Sequence, residues 1–172
     1  MKTLFILFSA SFVTVLGQNF NREIHFIVFQ NNHPVNTSQL WSKNPVFLGL
    51  CNPDDELAVI VHGWLQSCSQ EWLLDLVSNL TVYRRGCIVC MDYSHFASNP
   101  NYFALLKQFE SIREVLYRKL VGFWSSGLVP RRTYMFGFSF GAQLILQAAS
   151  MLGKRVIREI DGTLHSFPPI SL

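Results

Sequence analysis

Gly137-Phe138-Ser139-Phe140-Gly141 stands between an aromatic-rich run, 132–138, and an apolar run, 142–152, that Gly153 is placed to stop. The first run reads as a strand and the second as a helix. A sharp strand-to-helix turn forces its central serine into strained dihedrals and lifts the hydroxyl out of the sheet. The flanking positions must then lack side chains, so that strand and helix can approach. Gly137 and Gly141 meet that demand, which makes Ser139 the candidate nucleophile for acyl transfer. The following helix offers its N-terminal dipole and the Phe140 N–H to a developing negative charge.

A second segment points to the same chemistry. Val61-His62-Gly63-Trp64 follows a continuous apolar run, 57–62, and a turning backbone there directs the Trp64 N–H toward the pocket served by Phe140. Two such donors make an oxyanion hole, and losing one typically costs about a hundredfold or more in rate. His62 and Gly63 are expected to shape this loop, His62 by hydrogen bonding. It is not expected to be the base, which in this arrangement follows the acid in chain order. Asp92, at the end of a strand, reads as a turn carboxylate.

The elements that must position these residues alternate in type. Strands are predicted at 24–29, 57–62, 86–91 and 132–138, with a further one starting at Val156-Ile157. The Asn31-Asn32-His33-Pro34 stretch reads as a loop. Helices are predicted from a Ser69 cap through Leu80, over 102–124 as one long amphipathic crossover, and over 142–152. Strands alternating with helices imply βαβ units, because a parallel connection needs a crossover long enough to hold a helix. The expectation is a single α/β domain with a mostly parallel sheet.

Of 172 residues, 49% are hydrophobic and 15% charged, with a mean hydropathy of +0.23, so a substantial core is available and extended disorder is excluded. Net charge is +3, and the basic residues are scattered apart from Arg84-Arg85 and Arg131-Arg132, which gives nucleic-acid binding no support. Lys2 followed by the apolar run 4–16 and Gly17 reads as a secretory signal peptide cleaved after Gly17, leaving 18–172 as the mature domain. Nothing later reads as a transmembrane segment. In an oxidising compartment Cys51, Cys68, Cys87 and Cys90 should pair, although the sequence leaves all three pairings open. Cys87-x-x-Cys90 sits in a buried-strand pattern and not at a helix start, so a redox motif is not expected. Asn36-Thr37-Ser38 and Asn79-Leu80-Thr81 are glycosylation sequons. No metal-ligand spacing and no phosphate-cradling loop appears, so neither metal nor cofactor is expected.

His62-Gly63-Trp64, Met91-Asp92-Tyr93-Ser94 and 137–142 together resemble the secreted pancreatic-type lipase family, particularly its insect lipase and phospholipase A1-like members, over about Phe29 to Ile160. The resemblance implies an α/β-hydrolase fold, Ser139 as nucleophile, Trp64 and Phe140 as oxyanion amides, and hydrolysis of lipid acyl esters at a lipid–water interface. The family reads Gly-His-Ser-Leu-Gly-Ala-His at the elbow, where this chain has Phe138, Phe140 and Gln143. The family's Pro-Ala-Gly after the catalytic aspartate is absent. Asp161 is the available acid, but alignment through Ile160 puts the acid's place near Leu164 and makes Asp161 a neighbouring strand residue. His165 stands too close to Asp161 to be the base, whose place lies beyond Leu172. The expectation is the N-terminal part of a secreted carboxylic-ester hydrolase that is a poor esterase as this polypeptide. The alternatives are a non-catalytic lipid-binding or storage protein on the same frame and an inactive truncated product.

Overall fold

Side chains on a strand alternate between faces, so an apolar run longer than a few residues must be covered on both sides. Leu57, Val59 and Val61 pack into one apolar cluster, while Ala58 and Ile60 pack into another. The next strand divides the same way, with Cys87, Val89 and Met91 on the first side and Ile88 and Cys90 on the second. A computed structural model describes residues 20–35, 49–84, 86–153 and 157–163. The signal segment, Asn36, Val156, Leu164 and His165 lie outside the described residues.

Six strands, β1 (His25–Gln30), β2 (His33–Val35), β3 (Glu56–Val61), β4 (Gly86–Asp92), β5 (Thr133–Phe138) and β6 (Glu159–Thr163), form one sheet in the order β2-β1-β4-β3-β5-β6. The pairs β3–β4, β3–β5 and β5–β6 are parallel, whereas β1 runs antiparallel to both β2 and β4. Helix α1 (Glu71–Tyr83) connects β3 to β4 and covers one face through Leu73, Val77 and Leu80. Between β4 and β5 run the short helices α2 (Ser94–Ala97) and α3 (Tyr102–Leu106), then α4 (Phe109–Ser125). Helix α5 (Phe140–Met151) follows the elbow and packs beside α4 on the opposite face.

Four local expectations are corrected. The predicted loop after β1 is a hairpin: Asn31 and Asn32 have φ of 50° and 65°, and Gln30 pairs with His33. Positive φ at both central residues is what a tight two-residue hairpin requires, and asparagine tolerates it. The predicted helix over 102–124 breaks after Leu106: Lys107 and Gln108 separate α3 from α4, Leu105 and Phe109 are buried, and Phe103 remains 73% exposed. Ser69 does not cap α1; its hydroxyl meets Ser67 Oγ at 2.8 Å, and Gln70 is the N-cap. The strand predicted from Val156-Ile157 begins at Glu159.

The disulfides are Cys51–Cys87 and Cys68–Cys90. Because residues 87 and 90 are an odd number apart in β4, they face opposite sides, and one bond crosses each face of the sheet. Non-reducing peptide mapping should recover these two pairs. Replacing Cys51 and Cys87 together by serine should lower stability in urea unfolding by about 2–4 kcal/mol, since the bond closes a long loop in the unfolded chain.

Candidate active site

In the parallel register Val61 lies opposite both Met91 and Gly137. The segments leaving β3, β4 and β5, which are His62-Gly63-Trp64, Tyr93-Ser94 and Ser139-Phe140, therefore emerge side by side at the carboxyl edge, where open α/β sheets hold their sites.

Ser139 has φ 53° and ψ −115°, a left-handed conformation that costs a non-glycine residue of order 1–3 kcal/mol. Its neighbours hold it there. A Cβ on Gly137 would come within 2.6 Å of the Ala142 Cα, and one on Gly141 within 2.3 Å of both the His62 and Val61 carbonyl oxygens. Strand β5 and helix α5 can meet, and α5 can rest on the end of β3, only because these positions are bare. The Ser139 N–H donates to Thr163 O at 2.7 Å, which ties the elbow to the end of β6.

The loop after β3 is braced one peptide at a time. The Gly63 N–H donates to Gln66 Oε1 at 2.9 Å. The Leu65 N–H donates to Ala97 O at 2.9 Å, with Leu65 itself at φ 58°. Trp64 Nε1 donates to Asn99 O at 2.8 Å, and its ring meets Tyr102 edge-on at 5.2 Å. His62 is fully buried. Its Nδ1 lies 2.9 Å from Gly63 O, and its Nε2 receives the Tyr93 N–H at 3.2 Å. Those partners assign the Nδ1–H tautomer. Since the C=O and N–H of a trans peptide point in opposite directions, fixing Gly63 O on the imidazole aims the Trp64 N–H away from it.

Tyr93 completes this brace. Its ring stacks on His62 at 4.2 Å and its hydroxyl donates to His62 O at 2.5 Å. Burial first, then the nearby Tyr102 and Asp92, push its pKa well above the usual phenol value, so it remains a donor. Asp92 accepts the Ser94 N–H at 2.8 Å and the Cys68 N–H at 3.3 Å. Burial opposes its charge, but the adjacent His62 ring and the Ser94 hydrogen bond outweigh burial and hold the carboxyl well below the ordinary carboxylate range. Sequence reading gave Tyr93 no role, because its partners are thirty-one residues away.

Among the described residues, the Ser139 hydroxyl, the Trp64 N–H and the Phe140 N–H have no hydrogen-bond partner. Phe140 projects the other way, 1% exposed, with Tyr93, Tyr102 and Phe109 around its ring. Asp161 is not brought to this site. It lies opposite Phe136 in the register, three residues short of Ser139, and accepts a hydrogen bond from the Tyr134 hydroxyl at 3.1 Å. That phenol's pKa is pushed up to about 12, by burial first and then by Asp161, so it stays protonated and donates. None of the described histidines hydrogen-bonds Ser139. Donor atoms of His62, Cys68 and Asp92 lie within 4.8 Å of one another, but the Cys68 sulfur is committed to Cys90, which leaves too few donors for a metal. No helix among the described residues is long and apolar enough to cross a membrane.

No family model and no curated protein sequence matches the chain. Among solved structures it is similar to a phospholipase/carboxylesterase from Dyadobacter fermentans, with TM-score 0.50 and 16% identity, covering 65% of this chain and 56% of that one. The chain thus spans little more than half the length of that relative. The likeness establishes the fold, an α/β-hydrolase arrangement of mostly parallel sheet and crossover helices. It does not extend to the pancreatic-type family.

Two outcomes follow from this geometry. Gly141→Ala should cost about 3 kcal/mol or more, because backbone carbonyls cannot withdraw from the added carbon. Gly122→Ala in α4, where a Cβ meets nothing within 4 Å, should stabilise by about 0.5–1 kcal/mol; urea titrations of both variants compare them. A carboxyl whose folded pKa is depressed contributes stability that is fully present above its unfolded pKa and is lost as pH falls below it. Below about pH 3.9 wild-type stability should therefore drop by up to about 1.4 kcal/mol per pH unit through Asp92, and Asp92→Asn should flatten that part of the profile.

Proposed function

We propose that this chain forms the nucleophile and oxyanion half of a carboxylic-ester hydrolase acting on lipid acyl esters. The reading rests on what leaves adjacent strand ends at one edge of the sheet: a serine in a strained conformation and two backbone N–H groups without a partner among the described residues. Ser139 Oγ attacks the ester carbonyl carbon and gives its proton to a base. The Trp64 and Phe140 N–H groups hold the resulting oxyanion, the alcohol leaves, and water releases the acid from the acyl-serine. The base and the acid that orients it come from residues other than those described. The printed name of the Dyadobacter protein agrees with this reaction class.

An apolar acyl group suits the surroundings. Leu65 and Phe103 are 52% and 73% exposed, and each follows in the chain one of the paired rings, Trp64 and Tyr102. The same rim would lie against a lipid–water interface outside the cell, in keeping with the predicted leader.

A second reading, a secreted lipid-binding protein without catalysis, is favoured by two facts. Asp161 is engaged by Tyr134, and both nitrogens of His62 are taken up by backbone groups. Fluorophosphonate labelling separates the two readings. The hydrolase reading expects wild-type protein to be labelled and Ser139→Ala to lose the label entirely. Equal labelling of both, or no labelling of wild type together with retention of radiolabelled fatty-acyl lipid without free fatty acid, would reject it.

A further inference from the structure

The most exposed large apolar side chains among the described residues are Tyr83 at 84% and Val82 at 74%. They close the last turn of α1, and the candidate active site makes no use of them. A helical side chain leans back over the turn before its own Cα, and residues three and four apart on a helix are neighbours. Val82 and Tyr83 therefore both lean toward Asn79. Asn79 is itself exposed, and it opens the sequon Asn79-Leu80-Thr81. Leu80, 7% exposed, is packed against the sheet, which fixes the helix with Asn79 outward.

We propose that Asn79 carries an N-linked oligosaccharide whose first sugars lie across Tyr83 and Val82. The donor is a polyisoprenyl-pyrophosphate oligosaccharide of the secretory lumen. The Asn79 Nδ2 forms a bond to the sugar C1, the C1–oxygen bond to the pyrophosphate breaks, and one amide proton leaves with the departing phosphate. In the folded chain the Thr81 hydroxyl donates to Val77 O at 2.8 Å, and residues two apart on a helix do not face each other. Transfer therefore precedes formation of α1, and the helix then presents the sugar to solvent against the two apolar side chains. This inference does not rest on the hydrolase reading. It requires only that the leader at 1–17 delivers the chain to that lumen.

The test expresses the full chain, with its leader, in a eukaryotic secretory cell and maps peptides after enzymatic deglycosylation in heavy-oxygen water. Heavy aspartate at position 79 is expected. Asn79→Gln and Thr81→Ala should each remove one glycan mass and lower Tm by about 2–4 °C. Tyr83→Ser should keep the glycan but lose the same increment, and should change nothing in the Asn79→Gln background. Recovery of unmodified Asn79 in the secreted protein overturns the proposal. So does a glycosylated Tyr83→Ser protein that melts with wild type.

Discussion

The start of α5 rests on the end of β3 with no side chain between them, and the candidate site exists because of that contact. Gly141 lies so close to the Val61 and His62 carbonyl oxygens that even a methyl group would collide with both. This approach brings the first peptide of α5 level with the loop after β3, and it forces the chain at Ser139 to turn sharply through a left-handed conformation. Close backbone packing thus supplies the strain at half-buried Ser139.

Preorganisation of the opposite wall follows a different logic. The loop after β3 has no regular structure to satisfy its backbone, so each peptide from 63 to 65 must find another arrangement. Two of the three N–H groups are claimed by Gln66 and Ala97, and the third, that of Trp64, is left available. Buried His62 holds the carbonyl on the other side of that peptide, Tyr93 holds His62 in turn, and the Cys68–Cys90 bond fastens the loop to β4. These contacts hold the Trp64 N–H in place without a partner among the described residues.

The parts legible in the sequence were those with local causes. Continuous apolar runs announced β3 and β4, the glycine spacing around Ser139 announced the elbow, and the buried-strand pattern around Cys87 and Cys90 argued against a redox pair. Errors arose where local pattern and tertiary demand diverged. The apolar periodicity of 102–124 is helical throughout, yet the chain leaves the helix at Lys107 and Gln108 and re-enters it at Phe109. Two asparagines looked like a loop because their tolerance of positive φ serves a loop and a hairpin equally well.

By itself the sequence determined the alternation of the main strands and helices, the strand-to-helix turn at Ser139 and the bare positions that turn needs, since propensity, alternation and glycine spacing act within a few residues. Tertiary structure alone decided the antiparallel placement of β1, the disulfide partners, the clasp of His62 by Tyr93 and the diversion of Asp161 to Tyr134. Each of these joins residues between about twenty and seventy apart in the chain. Such partners are chosen by which strands lie side by side and which face of the sheet a residue occupies, and no local pattern encodes that choice.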